Sequence, residues 1–134
     1  MAESPVQAVQ AYLDAFNRQD AEGMAACFAV PGVILDGMAP HLWSGPSAPR
    51  DWWADVLAEG EHLGAGDYYV TIGEPLHNDV TGDAAYLVLP TTMRFNFKGQ
   101  PVTQSGARFT VALRREEGAW RIAAWAWTKG QREP

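Results

Sequence analysis

The spacing of apolar residues changes once along the chain, near Gly66, and this change constrains the fold more than any other feature. Before it, apolar residues recur three and four positions apart, as on one face of a helix. After it, apolar and polar residues alternate over long runs such as AAYLVLPTTMRFNF and VTQSGARFTVALRR, as in sheet strands. A chain of 134 residues with this order is expected to pack its helices on one face of an antiparallel sheet, an α+β arrangement.

Three helices are predicted in the first half of the chain. The first begins at Ser4, in the motif SPVQ, where a capping serine, an early proline and a glutamine fit the start of a helix. Asp20 is expected to cap a short second helix, which the pair Pro31 and Gly32 ends. Ser47 opens a third helix through the segment RDWWADVLAEG.

A short strand predicted between the second and third helices raises the functional question. Strand alternation puts Ile34, Asp36 and Met38 on one face and Val33 and Leu35 on the other. A carboxylate that faces the interior is costly unless it is paired or used. Asp36 is therefore the leading candidate for a site residue.

Composition excludes several classes of partner. The net charge of −6 argues against nucleic acid and anionic membrane, and the chain has no run of about 18 apolar residues that predicts a membrane span. The single cysteine, Cys27, cannot form a disulfide within the chain, and the first residues lack the pattern of a signal peptide. A cytoplasmic protein is the expectation.

Three segments resemble the nuclear transport factor 2-like superfamily, in its SnoaL-like and ketosteroid isomerase-like branch. They are AVQAYLDAFNRQDAEGMAACF, SGPSAPRDWW and ARFTVALRREEGAWRIAAWAW. The last is typical of SnoaL-like proteins, with a strand, a turn of Arg, Glu and Gly, and Trp-Arg-Ile opening the final strand. The resemblance covers nearly the whole chain. It implies a single SnoaL-like domain over residues 1–134, with a cone-shaped, cystatin-like fold of three N-terminal helices on a curved, mainly antiparallel sheet.

The resemblance also implies three catalytic residues. Aligned without gaps with ketosteroid isomerases, Asp36 falls where that family has its proton-shuttling aspartate and Tyr12 where it has its oxyanion-binding tyrosine. The isomerases carry a second carboxylic acid on the penultimate strand, whereas this chain has Arg108 near that place and no acid. A steroid isomerase reaction is therefore not implied, and Arg108 stands as the candidate cation.

These groups suit removal of a proton next to a carbonyl group. An apolar cavity disfavours the charged form of a carboxylate, which makes Asp36 a usable base near neutral pH. Tyr12 and Arg108 are placed to donate hydrogen bonds to a developing enolate oxygen. The structural alternative is that Asp36 and Arg108 form a buried ion pair that holds the fold together without any turnover.

Aromatic residues are the second feature of the candidate site. Trp125 and Trp127 share the strand face that lines the cavity of the resembled fold. Such walls suit a flat hydrophobic ligand, and equally an organic cation through cation–π contacts. The full set of expected ligand-binding residues is His41, Trp43, Trp52, Met93, Phe95, Trp125 and Trp127. No cofactor is expected, and no His, Asp or Glu spacing predicts a metal site.

The long strand AAYLVLPTTMRFNF is too apolar on its outer face, near Tyr86 and Val88, to be fully exposed to solvent. This predicts a homodimer through the sheet.

Three functions remain open from the sequence. The first is a cofactor-independent isomerase, dehydratase or cyclase that acts on a hydrophobic carbonyl compound. The second is a ligand-binding protein without chemistry, and the third is a protein-interaction domain.

Overall fold

The structure is a computed structural model, and it describes residues 2–134. The helices are α1 (Pro5–Asn17), α2 (Ala21–Ala26) and α3 (Ala48–Leu63). Two strands, β1 (Phe28–Leu35) and β2 (Leu42–Gly45), lie between α2 and α3. The strands after α3 are β3 (Ala65–Ile72), β4 (His77–Thr81), β5 (Ala84–Phe97), β6 (Gln100–Glu116), β7 (Ala119–Thr128) and β8 (Gln131–Arg132).

The first two helices begin where the sequence predicts. The Ser4 hydroxyl accepts a hydrogen bond from the backbone N–H of Gln7, at 3.2 Å. Likewise, the Asp20 carboxylate accepts from the backbone N–H of Gly23, at 2.9 Å. Each bond satisfies an N–H group that has no partner within its helix, so the cap fixes where the helix starts. At the far end of α3, Gly64 adopts the left-handed conformation that ends many helices, with φ of 77°.

The strands form one curved sheet with the order β2-β1-β7-β6-β5-β3, in which β4 also pairs with β5 and β8 with β6. All pairs are antiparallel except β1 with β7, which run parallel. Between Ala107 and Gln104 the β6 strand carries one residue more than β5, and Gly106 there has φ of 76°. Bulges of this kind increase twist and bend a sheet, which curves it around the helices.

The position of Pro31 and Gly32 differs from the prediction that they end α2. That helix ends at Ala26, and both residues lie within β1, in an irregular stretch between the paired residues Phe28 and Val33. The side chain of Phe28 is buried there. A proline is tolerated at such an irregularity because no ladder hydrogen bond needs its missing N–H.

The core lies between the helices and the concave face of the sheet. It is built from alternate residues of the long strands and from one face of α1. The largest fully buried side chains are Tyr12, Phe109, Met24, Ile34, Leu87, Leu89, Leu113, Ile122, Val9 and Val111. None of the helices within residues 2–134 combines the length and the apolar character needed to cross a membrane.

Candidate functional site

A cavity of about 170 Å³ remains between α1, α3 and the concave face of the sheet. Its walls carry seven aromatic side chains, namely Tyr12, Phe16, Trp52, Tyr68, Phe109, Trp125 and Trp127. Five aliphatic or thioether side chains complete the apolar lining, namely Leu13, Met38, Val56, Val70 and Met93. Asp36 and Glu59 are the charged residues that line it. The site is therefore an aromatic pocket with two carboxylates.

Asp36 lies directly after β1, on the inward side that strand alternation predicts for it. It is half-buried, and its Oδ2 accepts a hydrogen bond from the indole N–H of Trp52 at 2.9 Å. Among the hydrogen bonds of the described residues, none involves its Oδ1. One carboxylate oxygen is therefore fixed by the protein, while the other is available to a ligand.

Tyr12 lies on α1 and is almost fully buried, with 1% of its surface exposed. Its hydroxyl oxygen accepts a hydrogen bond from the indole N–H of Trp125 at 3.1 Å. Burial is the main reason that the pKa of Tyr12 lies far above its ordinary value, and the charge of Asp36 adds to this in a small way. The phenol is therefore neutral, and within residues 2–134 its hydroxyl hydrogen has no protein acceptor.

The two indoles that hold these oxygen atoms also pack against each other. The rings of Trp52 and Trp125 are 4.9 Å apart between centroids and perpendicular. Edge-to-face pairs of this kind are favourable and have a defined geometry. Asp36 and Tyr12 are thus positioned by one connected pair of aromatic side chains, although they come from a strand end and a helix.

The structure corrects the prediction for Arg108. Its side chain is exposed on the outer face of β6, and its guanidinium donates to the carbonyl oxygen of Gly106 at 3.4 Å. Among the described residues, Arg108 forms no ion pair with Asp36, and it does not line the cavity. The reason is strand alternation, since its neighbours Ala107 and Phe109 point inward.

Three of the expected ligand-binding residues also lie outside the cavity lining. His41 is exposed, with its Nδ1 atom 3.1 Å from the backbone oxygen of Asp36. Trp43 is buried, and its indole N–H donates to Asp55 at 2.8 Å. Phe95 packs against the ring of Tyr68, with 5.8 Å between ring centroids. The other four, Trp52, Met93, Trp125 and Trp127, line the cavity.

Eight lining residues were not among the predicted site residues, and two of these eight, Glu59 and Tyr68, carry polar groups. Glu59 is exposed at the edge of the cavity, and its charge helps burial to raise the pKa of Tyr68. The spacing of Trp52, Val56 and Glu59 puts all three on one face of α3. That spacing is visible in the sequence and would have identified Glu59.

The other reactive groups of the chain lie away from the cavity. Cys27 is half-buried and its thiol contacts the carbonyl oxygen of Gly23 at 3.4 Å; burial raises the pKa of this thiol. Within residues 2–134, no three His, Cys, Asp or Glu residues are grouped as they would be to hold a metal ion. The Asp36 carboxylate and the neutral Tyr12 phenol both line the cavity and are its candidate acid–base groups.

Solved structures of other proteins share this fold. An NTF2-like protein of unknown function from Pseudomonas putida is 21% identical, with a TM-score of 0.69 over 92% of this chain and 82% of that chain. A ketosteroid isomerase-like protein from Erwinia carotovora atroseptica is 23% identical, with a TM-score of 0.70 over 91% and 90%. Hexachlorocyclohexane dehydrochlorinase LinA-type3 from Novosphingobium barchaimii is 14% identical, with a TM-score of 0.77 over 95% and 87%.

No curated protein matches the chain. The family model of the SnoaL-like domain matches residues 6–126, which is most of the sequence. This match and the structural neighbours confirm the resemblance and the α+β cone fold predicted from the sequence. The chain belongs to the SnoaL-like domain family.

Proposed function

We propose that this protein is a cofactor-independent enzyme in which Asp36 acts as general acid and base on a small hydrophobic carbonyl compound. One observation carries the proposal. A carboxylate with one free oxygen and a neutral phenol line the same aromatic cavity. Pockets that are mostly apolar with a few polar groups are the usual form of small-molecule sites.

The proposed reaction begins with transfer of a proton from the carbon next to the carbonyl group to Asp36. The electron pair of the broken C–H bond forms a carbon–carbon double bond, and the π pair of the carbonyl group moves onto its oxygen, which gives an enolate. Tyr12 donates a hydrogen bond to that oxygen, since its hydroxyl hydrogen has no acceptor within the described residues. General base catalysis of this kind contributes roughly 10²–10⁴-fold to a rate.

The fate of the enolate defines the class of enzyme. Return of the proton from Asp36 to a different carbon gives an isomerase. Loss of a hydroxyl group from the next carbon, which takes that proton and leaves as water, gives a dehydratase. Attack of the enolate carbon on a second carbonyl group gives a cyclase. All three begin with the same proton transfer, so the same residues serve each of them.

The size of the cavity supports a substrate with one ring. A cavity of about 150 Å³ lined by apolar side chains is large enough to bind benzene. The volume here, about 170 Å³, fits a ligand of that size and is small for a fused four-ring compound. We therefore propose a single-ring carbonyl compound. The sequence also argues against a steroid isomerase reaction, because it has no acid near Arg108.

The test is the exchange of α-protons of cyclohexanone for deuterium from solvent, followed by NMR. Asp36→Asn should lower the enzyme-dependent exchange rate by about 10²–10⁴-fold while the ketone still binds. Asp55→Asn is the matched control, because Asp55 also accepts a hydrogen bond from an indole, that of Trp43, but does not line the cavity. Equal exchange rates for the two variants would refute a catalytic role for Asp36.

Ligand binding without turnover is the second candidate function. The observation that favours it is the aromatic lining itself, which suits a flat ligand whether or not Asp36 reacts. If cyclohexanone binds the wild-type protein with no exchange above the solvent rate, this function is supported instead.

A homodimer through the outer face of the sheet is proposed as the assembly. The apolar side chains that support it lie two positions apart on the outer face of β5, namely the exposed Tyr86 and the half-buried Val88. A protein that exposes such side chains together commonly covers them with a partner. The same face would also serve a protein-interaction role. A protein that is monomeric in isolation would favour that role over the homodimer.

A further inference from the structure

The charges around the cavity all have one sign. Asp36 and Glu59 line it, and no Lys, Arg or His within residues 2–134 does so. The ion pairs of the described residues use other carboxylates, those of Asp20, Glu22, Asp83 and Glu116. Both carboxylates of the cavity therefore lack a protein cation, and an anionic ligand would meet repulsion there.

The two carboxylates lie near opposite ends of the face of α3 that lines the cavity. Asp36 is bound to Trp52, and Glu59 lies seven residues further along α3. At 1.5 Å per residue this is about 10 Å along the helix axis, which is longer than a single aromatic ring. Glu59 is exposed and Asp36 is half-buried, so Glu59 marks the mouth of the cavity and Asp36 its interior.

Between these carboxylates the cavity offers aromatic rings with electron-rich faces. Trp52, Trp125 and Trp127 contribute indoles, which bind cations better than other aromatic side chains do. Tyr68 lies close enough to Glu59 for the glutamate charge to act on its phenol. Aromatic faces together with a carboxylate are the groups that recognise organic ammonium ions in water.

We propose that the substrate carries a cationic nitrogen, which Glu59 and the aromatic walls hold at the mouth of the cavity. The rest of the molecule reaches inward, and its carbonyl end meets Asp36 and Tyr12; this part rests on the function proposed above. The substrate class is then a one-ring carbonyl compound with an ammonium group.

The test compares phenyltrimethylammonium with tert-butylbenzene, a neutral compound of the same shape. Isothermal titration calorimetry of the wild-type protein should give about tenfold tighter binding of the cation. Glu59→Gln should remove most of that preference and leave binding of tert-butylbenzene unchanged. Glu61→Gln is the matched control, since Glu61 is exposed on the same helix, carries the same charge and does not line the cavity.

Three results would overturn the proposal. They are equal or tighter binding of tert-butylbenzene, equal losses in Glu59→Gln and Glu61→Gln, and failure of the cation to bind. Equal or tighter binding of tert-butylbenzene would mean that the pocket selects apolar ligands. Equal losses in the two glutamate variants would mean that the net charge of the protein alone attracts the cation. The α-proton exchange of cyclohexanone tests Asp36 independently, because that ketone is neutral. Loss of exchange in Asp36→Asn without a cation preference would therefore preserve the proposed function and reject the cationic substrate.

Discussion

Two indole N–H groups hold the Asp36 carboxylate and the Tyr12 hydroxyl in place at the cavity. Trp52 donates to Asp36 at 2.9 Å and Trp125 donates to Tyr12 at 3.1 Å. A hydrogen bond to a buried group is costly to remove, because the partner that remains cannot recover it from water. The tryptophans therefore position the site as well as forming its walls.

Substitution of Trp125 by Phe tests this positioning. Trp125→Phe keeps an aromatic ring but leaves the buried Tyr12 oxygen without its donor, at a cost of about 1–3 kcal/mol. Trp127→Phe is the control, since the described residues include no hydrogen bond from the Trp127 indole. We expect Trp125→Phe to lower the free energy of urea unfolding by that amount more than Trp127→Phe does.

A double-mutant cycle separates the hydrogen bond from packing. In a Tyr12→Phe background the acceptor is already gone, so Trp125→Phe should cost less there than in the wild-type protein. Strictly additive losses of unfolding free energy would show that the hydrogen bond contributes nothing and that only ring packing matters.

The buried phenol of Tyr12 makes stability depend on pH in the alkaline range. In the unfolded chain the phenol loses its proton near the ordinary pKa of 10.0, whereas burial raises the pKa in the folded protein, which keeps the proton. Above about pH 10 the unfolding free energy should therefore fall by about 1.4 kcal/mol per pH unit for this group.

The measurement is urea unfolding at several pH values between about 9 and 11. Tyr12→Phe should reduce the fall of the unfolding free energy with pH by the contribution of one group, about 1.4 kcal/mol per pH unit. Tyr69→Phe is the control, because Tyr69 is 50% exposed on β3. An unchanged decline in Tyr12→Phe would contradict the buried, protonated phenol.

Arg108 shows what residue-level prediction can and cannot do. The family resemblance gave it a role in the site, but the residues on either side of it are apolar and point inward. Strand alternation therefore requires Arg108 to face outward, and this evidence was present in the sequence. For Asp36 the alternation and the resemblance agree, and the structure has it on the cavity wall.

Among the elements, α3 contributes three residues to the wall of the cavity, as many as α1 does. Trp52, Val56 and Glu59 form the inner face of α3, and its last turns lie against β3. The contact is closest at Gly60, where an added Cβ atom would lie 2.7 Å from the carbonyl oxygen of Ala65 and 3.0 Å from the hydroxyl of Tyr68. Glycine at this position lets the helix approach the strand.

Gly60→Ala should therefore destabilise the protein, although alanine is about 1 kcal/mol better than glycine within a helix. We expect a loss of about 1–3 kcal/mol in urea unfolding, because the helix must move away from Ala65. Gly66→Ala is the control, since no atom lies within 4 Å of an added Cβ there. Stabilisation by Gly60→Ala would show that the approach is not tight.

Predictions for the elements succeeded where the pattern is local. The start of α1 at Ser4 depends on neighbouring residues alone, and so do the alternating runs that became β5 and β6. The parallel pairing of β1 with β7 joins Ile34 to Trp125, which are 91 positions apart (125 minus 34), and no local pattern encodes it. The same pairing draws Pro31 and Gly32 into a strand.

For the whole molecule, the proposed homodimer uses the outer face of the sheet. We expect a homodimer, with a mass of twice the chain in sedimentation equilibrium. Tyr86→Lys should shift it toward the monomer, because a charge would replace an apolar contact at the interface. Leu57→Lys is the control, since Leu57 is an exposed apolar residue on α3, away from that face. A wild-type monomer would refute the dimer.

The central claim is that a ligand in the aromatic cavity reaches both Asp36 and Tyr12. A crystal structure with phenol, which resembles the enol of a one-ring ketone, tests it most directly. We expect the phenol oxygen to lie about 3 Å from the Tyr12 hydroxyl, with the Asp36 carboxylate in contact with the ligand. Phenol bound only outside the cavity, or inside it with its oxygen turned away from both residues, would contradict the claim.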